Sequence, residues 1–404
     1  PFVQLHQASA FYGVASTVLG GARQKVGPEK GLHERASQPE ICDYYERVLG
    51  RMLATGRVEF FPSSEYVGDR TVVSHLSGDR FTVPERCRIV DATYLSPIIP
   101  AETPPPFAVA DDADVVPVND LARLEQAPSQ YVVVGSGKTA TDAIVWLLTH
   151  GVDPDALCWV RPRDPWALNR AVVQPDPTIF LGMVADIMES AAAAASLDDA
   201  FLRMEAAGVM IRIDPRVTPT MAKAPTLAAW ELELLRSIEN VVRRGHLQSV
   251  SRGKLAFPDG SLSIADDAVV VHCAADGLRR RPLVPVWRPE AITLQPIRSG
   301  FPCFGAALVG YVEATRDADS EKNRLCPPSP YGDTLADWAR MTVLGSRASQ
   351  TFSAEPDIKR WADGVAINPA RIPADHDSSD ALDTVLKRVA ASTPAGLARL
   401  ADLM

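Results

Sequence analysis

Between Gln38 and Ala54 apolar residues fall at Ile41, Tyr44, Tyr45, Val48, Leu49 and Met52. That spacing is one face of a helix, and Gly56 follows as a stop. The period then shortens. Val58–Phe61, Thr71–His75, Arg80–Val83 and Arg88–Ala92 are strand-like runs, and Gly68-Asp69 and Gly78-Asp79 separate three of them as turns, so a β-meander is expected. The stretch from Pro97 to Pro106 breaks both periods and reads as a crossover linker, while residues 1–36 are Gly-rich and irregular.

A new unit opens near Gln126. Tyr131-Val132-Val133-Val134 is a continuous β-branched run, as a strand buried on both faces requires. It runs into Gly135-Ser136-Gly137-Lys138-Thr139-Ala140, then a helical pattern through Ala143, Ile144, Leu147 and Leu148 to Gly151, then a second strand at Leu157–Val160. From Tyr131 to Val160 is the length of a βαβ unit, about 30 residues. Helices are expected at Asp176–Ala194, Asp198–Ala207 and Thr226–Arg244. Strands are expected at Leu247–Val250, Lys254–Phe257, Leu262–Ile264 and Ala268–His272, and helices again after Leu283.

The chemistry concentrates in Gly135-x-Gly137-x-x-Ala140, lying between a strand and a helix. The first glycine allows a tight turn, the second lets a pyrophosphate approach the backbone, and the small third residue lets helix pack on strand. The phosphates then meet the unpaired N–H groups at the helix N-terminus. A purely structural glycine turn is the alternative. A phosphate-binding P-loop is excluded, because the glycine it needs five positions before Gly137 is Val132. After the second strand come Arg161-Pro162-Arg163 with no acid before them, which favours NADP(H) over NAD(H); two solvated arginines are the plain alternative.

Composition narrows the rest. The chain has 404 residues, 46% hydrophobic and 23% charged, enough for about two to four domains. With 41 Lys plus Arg against 50 Asp plus Glu, the net charge of -9 argues against a nucleic-acid surface. No apolar run approaches the ~20 residues of a membrane span. The six cysteines form no CxxC pair and the histidines no HxxxH pair, so reduced thiols, no metal site and a cytoplasmic location are expected. The expected partner is a small-molecule substrate, not nucleic acid or membrane, with homo-oligomerisation left open.

Three segments carry a resemblance: Trp159-Val160-Arg161-Pro162-Arg163 with Trp166-Ala167-Leu168-Asn169-Arg170, Ile89–Tyr94, and Val269–Gly277. With the mid-chain fingerprint, they resemble the flavin-containing monooxygenases and Baeyer–Villiger-type enzymes. The resemblance implies an α/β fold of two Rossmann-like dinucleotide-binding domains, the NADP domain inserted into an FAD domain that is N-terminally incomplete here. The FAD domain's first part would span 1–112, the NADP domain 126–282 with a helical insertion at about 165–245, and residues 283–404 would return to the FAD domain. About 40–60 residues holding a first βαβ unit are expected to precede Pro1. Tyr94 stands where the family usually has Gly, and no full monooxygenase signature is found.

The resemblance further implies hydride transfer from NADPH to FAD and then oxygen activation. The alternatives are a flavin reductase without oxygen insertion or a silent NAD(P)-binding sensor or assembly subunit. Cofactor contacts would come from Gly135, Ser136, Gly137, Lys138, Thr139, Ala140, Arg161, Arg163, His6 and Thr93. In Phe2–Val14, the segment expected over the flavin, Gln7 and Ser9 would be catalytic with Arg170, which would hold the nicotinamide end or an anionic flavin peroxide. Backbone hydrogen bonding of that loop and a structural ion pair at Arg170 are the alternatives. The helix expected at Phe301–Thr315 would aim its N-terminus at the flavin, where Cys303 would have a lowered pKa; core packing is its alternative.

Overall fold

The computed structural model describes residues 4–97, 99–223, 225–275, 281–298 and 300–404. Phe2 and Val3 of the opening segment, Ile98 of the Pro-rich stretch and Asp276-Gly277 at the end of Val269–Gly277 lie outside the described residues. Helix α1, Gln38–Ala54, coincides with the periodic stretch. The Glu40 carboxylate accepts from the Ser37 backbone N–H and hydroxyl, both at 2.7 Å, which secures its start. Tyr44 is buried on its inner face, donating to Thr17 O at 2.7 Å and accepting from Val14 N–H at 2.9 Å. This pins the irregular N-terminal segment across α1. Gly13 is required there, since φ is +101° and a Cβ would meet the Tyr44 hydroxyl at 2.3 Å.

The meander is present but displaced. Its antiparallel strands are Ser64–Gly68, Thr71–Ser74 and Arg80–Thr82, and Val58–Phe61 is not a strand. The tight turn after Gly68 decides this: the partner of Thr71–Ser74 must end where the turn begins. Ile89–Asp91 then pairs in parallel with Ala291–Thr293. That pair brackets everything between, so the central sheet is an insertion in the chain path.

The central sheet is parallel throughout, in the order Val241–Val242, Leu157–Val160, Tyr131–Val134, Val269–His272, Asp114–Pro117. The fold is mixed α/β. The three inner strands are buried at every position, and alternate side chains serve two cores. Val133, Trp159 and Val271 meet Ala143, Ile144 and Leu147 of helix α2, Lys138–Thr149. Val132, Val134, Cys158 and Val270 meet Leu255 and Phe257 from an antiparallel sheet built on Ser249–Ser251, Lys254–Phe257 and Gly260–Ser263. Asp114–Pro117 lies ahead of residue 126, so the sheet recruits a strand from the stretch read as preceding the domain.

Helices α3 (Pro177–Ala192) and α4 (Leu197–Ala206) lie where periodicity placed them, α3 capped by the Asp176 side chain. The expected helix over Thr226–Arg244 is broken into a strand at Thr226–Leu227, helix α5 at Ala229–Arg236 and a strand at Val241–Val242. The ladder wins over helix propensity: Trp159 N–H donates to Asn240 O at 2.8 Å and Arg161 N–H to Val242 O at 2.9 Å. Nor is 165–245 wholly helical, because Trp166–Asn169 pairs with Met210–Arg212 and Thr226–Leu227.

The C-terminal part holds α6 (Pro302–Thr315), α7 (Asp319–Leu325), α8 (Leu335–Ser353), α9 (Pro356–Asp363) and α10 (Asp380–Asp402). One core joins α3, α4, α6 and α8 through Phe180, Phe201, Phe304 and Trp338. Helix α10 lies along α3, close enough that a Cβ on Gly396 would stand 2.6 Å from Met188 O. Among the described residues no helix is long and apolar enough to cross a membrane.

Candidate functional site: a dinucleotide turn beside an arginine cleft

Gly135 ends the central strand with φ +144°, and a Cβ there would stand 2.8 Å from Cys273 O on the neighbouring strand. Trp159, fully buried, donates its indole N–H to Gly135 O at 2.7 Å, so the turn is held from the adjacent strand. Gly137 caps α2 without a side-chain hydrogen bond and has nothing within 4 Å of a Cβ position, which leaves the helix N-terminus open above it. Ala140 is completely buried. The Ser136 Oγ is buried with no hydrogen-bond partner. Tight turn, open second glycine, small third residue and an orphaned hydroxyl are what a pyrophosphate cradle needs.

The next parallel strand ends at Arg161, whose guanidinium lies 4.3 Å from the Trp159 ring centroid. It is 1% exposed, pairs with Asp164 at 2.8 Å, and has Nε and Nη1 without partners. Burial lowers its pKa to about 10, so it remains a cation. Beyond it lies a cleft of about 580 Å³ whose lining includes Arg161, Asp214, Arg216, Arg236 and Arg243. Arg243 follows the edge strand Val241–Val242 and bridges Asp164 at 2.8 Å and Asp214 at 3.0 Å. Hydrogen bonding from Arg216, with Arg243 adding its charge, holds the Asp214 carboxyl well below the usual range. The Gly135–Ala140 turn and Arg161 therefore sit at the carboxyl ends of adjacent parallel strands, and the edge strand beside Arg161 ends at Arg243.

Below α2 is a buried ionic cluster. Lys138 is turned inward, paired with Asp142 and with Glu231 at 3.7 Å. Arg170, less than 1% exposed, is bonded to Glu29, to Glu231 at 2.7 Å, to His6 O at 3.1 Å and to Thr226 O at 3.1 Å. Arg35 adds a 2.9 Å pair to Glu29. Burial would raise the Glu29 pKa, but Arg170 and Arg35 overturn that and hold it low. Burial, with Lys138, Arg170 and Arg35 close by, lowers the pKa of His6 to about 3, so its imidazole is neutral. His6 and Gln7 border a second cavity, about 270 Å³, between α3, α8 and the start of α6.

No family model matches the chain. The "Uncharacterized protein Rv2000" of Mycobacterium tuberculosis (strain ATCC 25618 / H37Rv) is 41% identical over 373 residues, covering 91% of this chain and 69% of the relative. The Mycobacterium bovis protein Mb2023 matches with the same figures. The chain belongs to the Rv2000 family. Solved structures are far more distant. Tmm from Pelagibacter sp. strain HTCC7211 has a TM-score of 0.34 at 10% identity, over 96% of this chain and 75% of its own. The cadaverine monooxygenase DfoA of Erwinia amylovora, bound to FAD, has 0.31 at 13%, over 70% and 74%. The flavoprotein disulfide reductase RclA of Escherichia coli has 0.34 at 9%, over 69% of this chain and just over half, 55%, of its own. Likeness this weak carries neither fold nor chemistry to the Rv2000 family.

The structure brings together only part of the expected site in this Rv2000-family chain. Gly135 to Ala140 and Arg161 converge, but Arg163 does not: its Nη2 donates to Asp333 at 2.6 Å, toward the C-terminal segment. Lys138 and Arg170 are consumed by the ionic cluster, and Thr139 is exposed. Ser9 is 1% exposed, donating to Glu34 O at 3.0 Å and accepting from Ala36 N–H at 2.7 Å, which braces its own loop. Thr93 bonds Asp91 Oδ1 through its N–H at 2.8 Å and hydroxyl at 2.7 Å, closing a turn. Tyr94, where the resembling family has Gly, is buried and donates to Arg281 O at 2.8 Å. Burial raises the Cys303 pKa despite its place at the start of α6, so the expected lowering is reversed. Arg243 lies outside the sequence expectation because the helical pattern over Thr226–Arg244 hides the edge strand Val241–Val242, and Arg216 because it sits in a loop with no local motif.

Proposed function

We propose that this chain supplies the NADP(H)-binding part of a flavin-linked oxidoreductase of the flavin-containing monooxygenase or Baeyer–Villiger kind. One observation carries the reading: the Gly135–Ala140 turn opens an uncapped helix at the end of the central strand, and the adjacent strands end at Arg161 and Arg243. The pyrophosphate would lie over Gly137 against the α2 N-terminus, with the Ser136 hydroxyl donating to it. Arg243 would meet the 2′-phosphate at the mouth of the cleft, with the Arg161 charge beneath. The nicotinamide, when bound, supplies a hydride. The inward pairing of Lys138 and the neutrality of His6 keep this end of the site from carrying a surplus of positive charge.

FAD fits these residues only in part. The start of α6 and the His6-Gln7 segment border a cavity that would take a ring edge. Among the described residues, however, no second glycine turn joins a strand to a helix in the manner of Gly135–Ala140. The FAD pyrophosphate has no cradle in them. The engagement of Arg170 and Ser9 in structural contacts favours a second reading, an NADP(H)-binding module without turnover of its own. Anaerobic titration with NADPH and NADH in the presence of added FAD separates the two. Flavin bleaching by NADPH, faster than by NADH, supports the oxidoreductase. NADPH binding without flavin uptake leaves the module, and no NADPH binding overturns both.

A further inference from the structure

The cavity between α3, α8 and the start of α6 is lined mainly by hydrocarbon, Phe180, Met183, Met188, Trp338 and Met341 among it, with His6, Gln7 and Lys223 also at its wall. Flexible thioethers and aromatic rings adapt to an apolar guest. Two polar groups in this wall are under-partnered: a half-buried cation without a counter-ion and a buried hydroxyl without a hydrogen bond.

Arg298 is the first. Its guanidinium lies 5.7 Å from the ring centroids of Phe301 and of Phe304. Its one hydrogen bond among the described residues is from Nη1 to the amide oxygen of Asn368 at 3.3 Å. No carboxylate among the described residues pairs with it. Burial lowers its pKa to about 10, which leaves it charged at neutral pH. A half-buried cation without a counter-ion gains from acquiring one, and a carboxylate is the partner whose geometry matches a guanidinium fork.

Thr342 on α8 is the second: 7% exposed, bordering the same cavity, with an Oγ1 that has no hydrogen-bond partner. Gly300, Phe301 and Pro302 place the N-terminus of the 14-residue helix α6 at the cavity as well, and no side chain caps it. The positive end of its dipole and the Arg298 charge thus favour the same ligand sign. A volume of about 270 Å³ is near the lower end for small-molecule sites, roughly 300 Å³.

We propose that this cavity binds a small apolar carboxylate, its hydrocarbon part among Met183, Met188, Trp338 and Met341 and its carboxylate on Arg298 at the α6 N-terminus, with the Thr342 hydroxyl as a further donor. This concerns binding in a cavity separate from the dinucleotide turn and does not depend on the NADP(H) reading.

The purified protein is titrated with octanoate and, as the neutral molecule of equal chain length, octan-1-ol, by calorimetry and by tryptophan fluorescence. Saturable 1:1 binding of octanoate, at least tenfold tighter than octanol, is expected. Arg298→Met should weaken octanoate at least tenfold while leaving octanol and NADPH binding unchanged, and Thr342→Val should weaken octanoate severalfold. Thr342→Val removes a hydroxyl that has no partner, whereas Arg298→Met gives up the Asn368 hydrogen bond and the contacts with Phe301 and Phe304, so the parent's octanoate-to-octanol ratio and Thr342→Val decide if Arg298→Met expresses poorly. Equal binding of octanoate and octanol, or an unchanged octanoate affinity in Arg298→Met, overturns the proposal. So does displacement of octanoate by FAD with FAD itself weakened in Arg298→Met, which would make this a flavin-ring site. Failure of NADPH to bind leaves the result for octanoate standing.

Discussion

Gly135 and Gly137 are two residues apart, yet substitution by alanine should do different things at each. At Gly135 the backbone has φ +144° and the new Cβ would meet Cys273 O at 2.8 Å, a backbone atom that cannot swing aside. Forcing an L-residue into that conformation costs about 1–3 kcal/mol, and overpacking adds a similar amount. Gly135→Ala should therefore lose about 2–5 kcal/mol of stability. At Gly137 φ is −87° and ψ −176°, ordinary extended backbone, with nothing within 4 Å of the Cβ. Gly137→Ala should cost at most about 1 kcal/mol, the difference between Gly and Ala as N-cap. The methyl group would instead occupy the surface a pyrophosphate must cross, and NADPH affinity should fall at least tenfold. Urea unfolding measures the first effect, and fluorescence titration with NADPH the second. If Gly137→Ala binds NADPH as tightly as the parent, the turn is structural and the dinucleotide reading fails.

Arg161→Met should weaken NADPH roughly tenfold and leave NADH unchanged, with little loss of stability because Asp164 keeps Arg243; Arg163→Ala should leave the NADPH-to-NADH ratio alone. The two ratios, measured side by side, check the assignment. Glu29→Gln removes the carboxylate shared by Arg170 and Arg35 and leaves Glu231 as their remaining counter-ion, so it should destabilise by about 1–3 kcal/mol in urea unfolding. His6, with its pKa lowered to about 3 in the fold and near 6.5 unfolded, contributes stability that is fully present above pH 6.5 and declines as pH falls toward 3. Between pH 7 and pH 5 the loss should be about 2 kcal/mol, and His6→Gln should flatten that part of the profile; equal slopes in the two proteins would refute it.

How far the site was legible depended on whether a signal was local. The turn Gly135–Ala140 was, because strand, glycines and helix are consecutive and each residue type answers a local demand. Arg161 was, because it ends the very next strand. Arg243 was not: Ala229–Asn240 has enough helix formers to carry the helical reading onward, and only the exposed edge of Leu157–Val160 makes Val241–Val242 a strand. Ser9, Arg170 and Arg163 looked like site residues because polar side chains near a cofactor motif are candidates until their partners are known. Their partners, Glu34 and Ala36, Glu29 and Glu231, and Asp333, lie 25 or more residues away for every one of them.

The sequence by itself determined the elements whose pattern is short-ranged: α1 from its apolar stripe, the buried valine strand, the tight Gly135–Ala140 turn, and the parallel α/β class that follows from them. Side-chain periodicity and glycine sterics act within a few residues, so no distant contact is needed to express them. Only the tertiary structure decided the sheet order, the pairing of residues 89–91 with 291–293, the burial of Arg170 in an ion cluster, and the meeting of Arg298 and Thr342 at one cavity. A charge or hydroxyl has the same chemistry in any sequence position. Whether it is paired, orphaned or exposed is set by groups that the chain brings to it from far away.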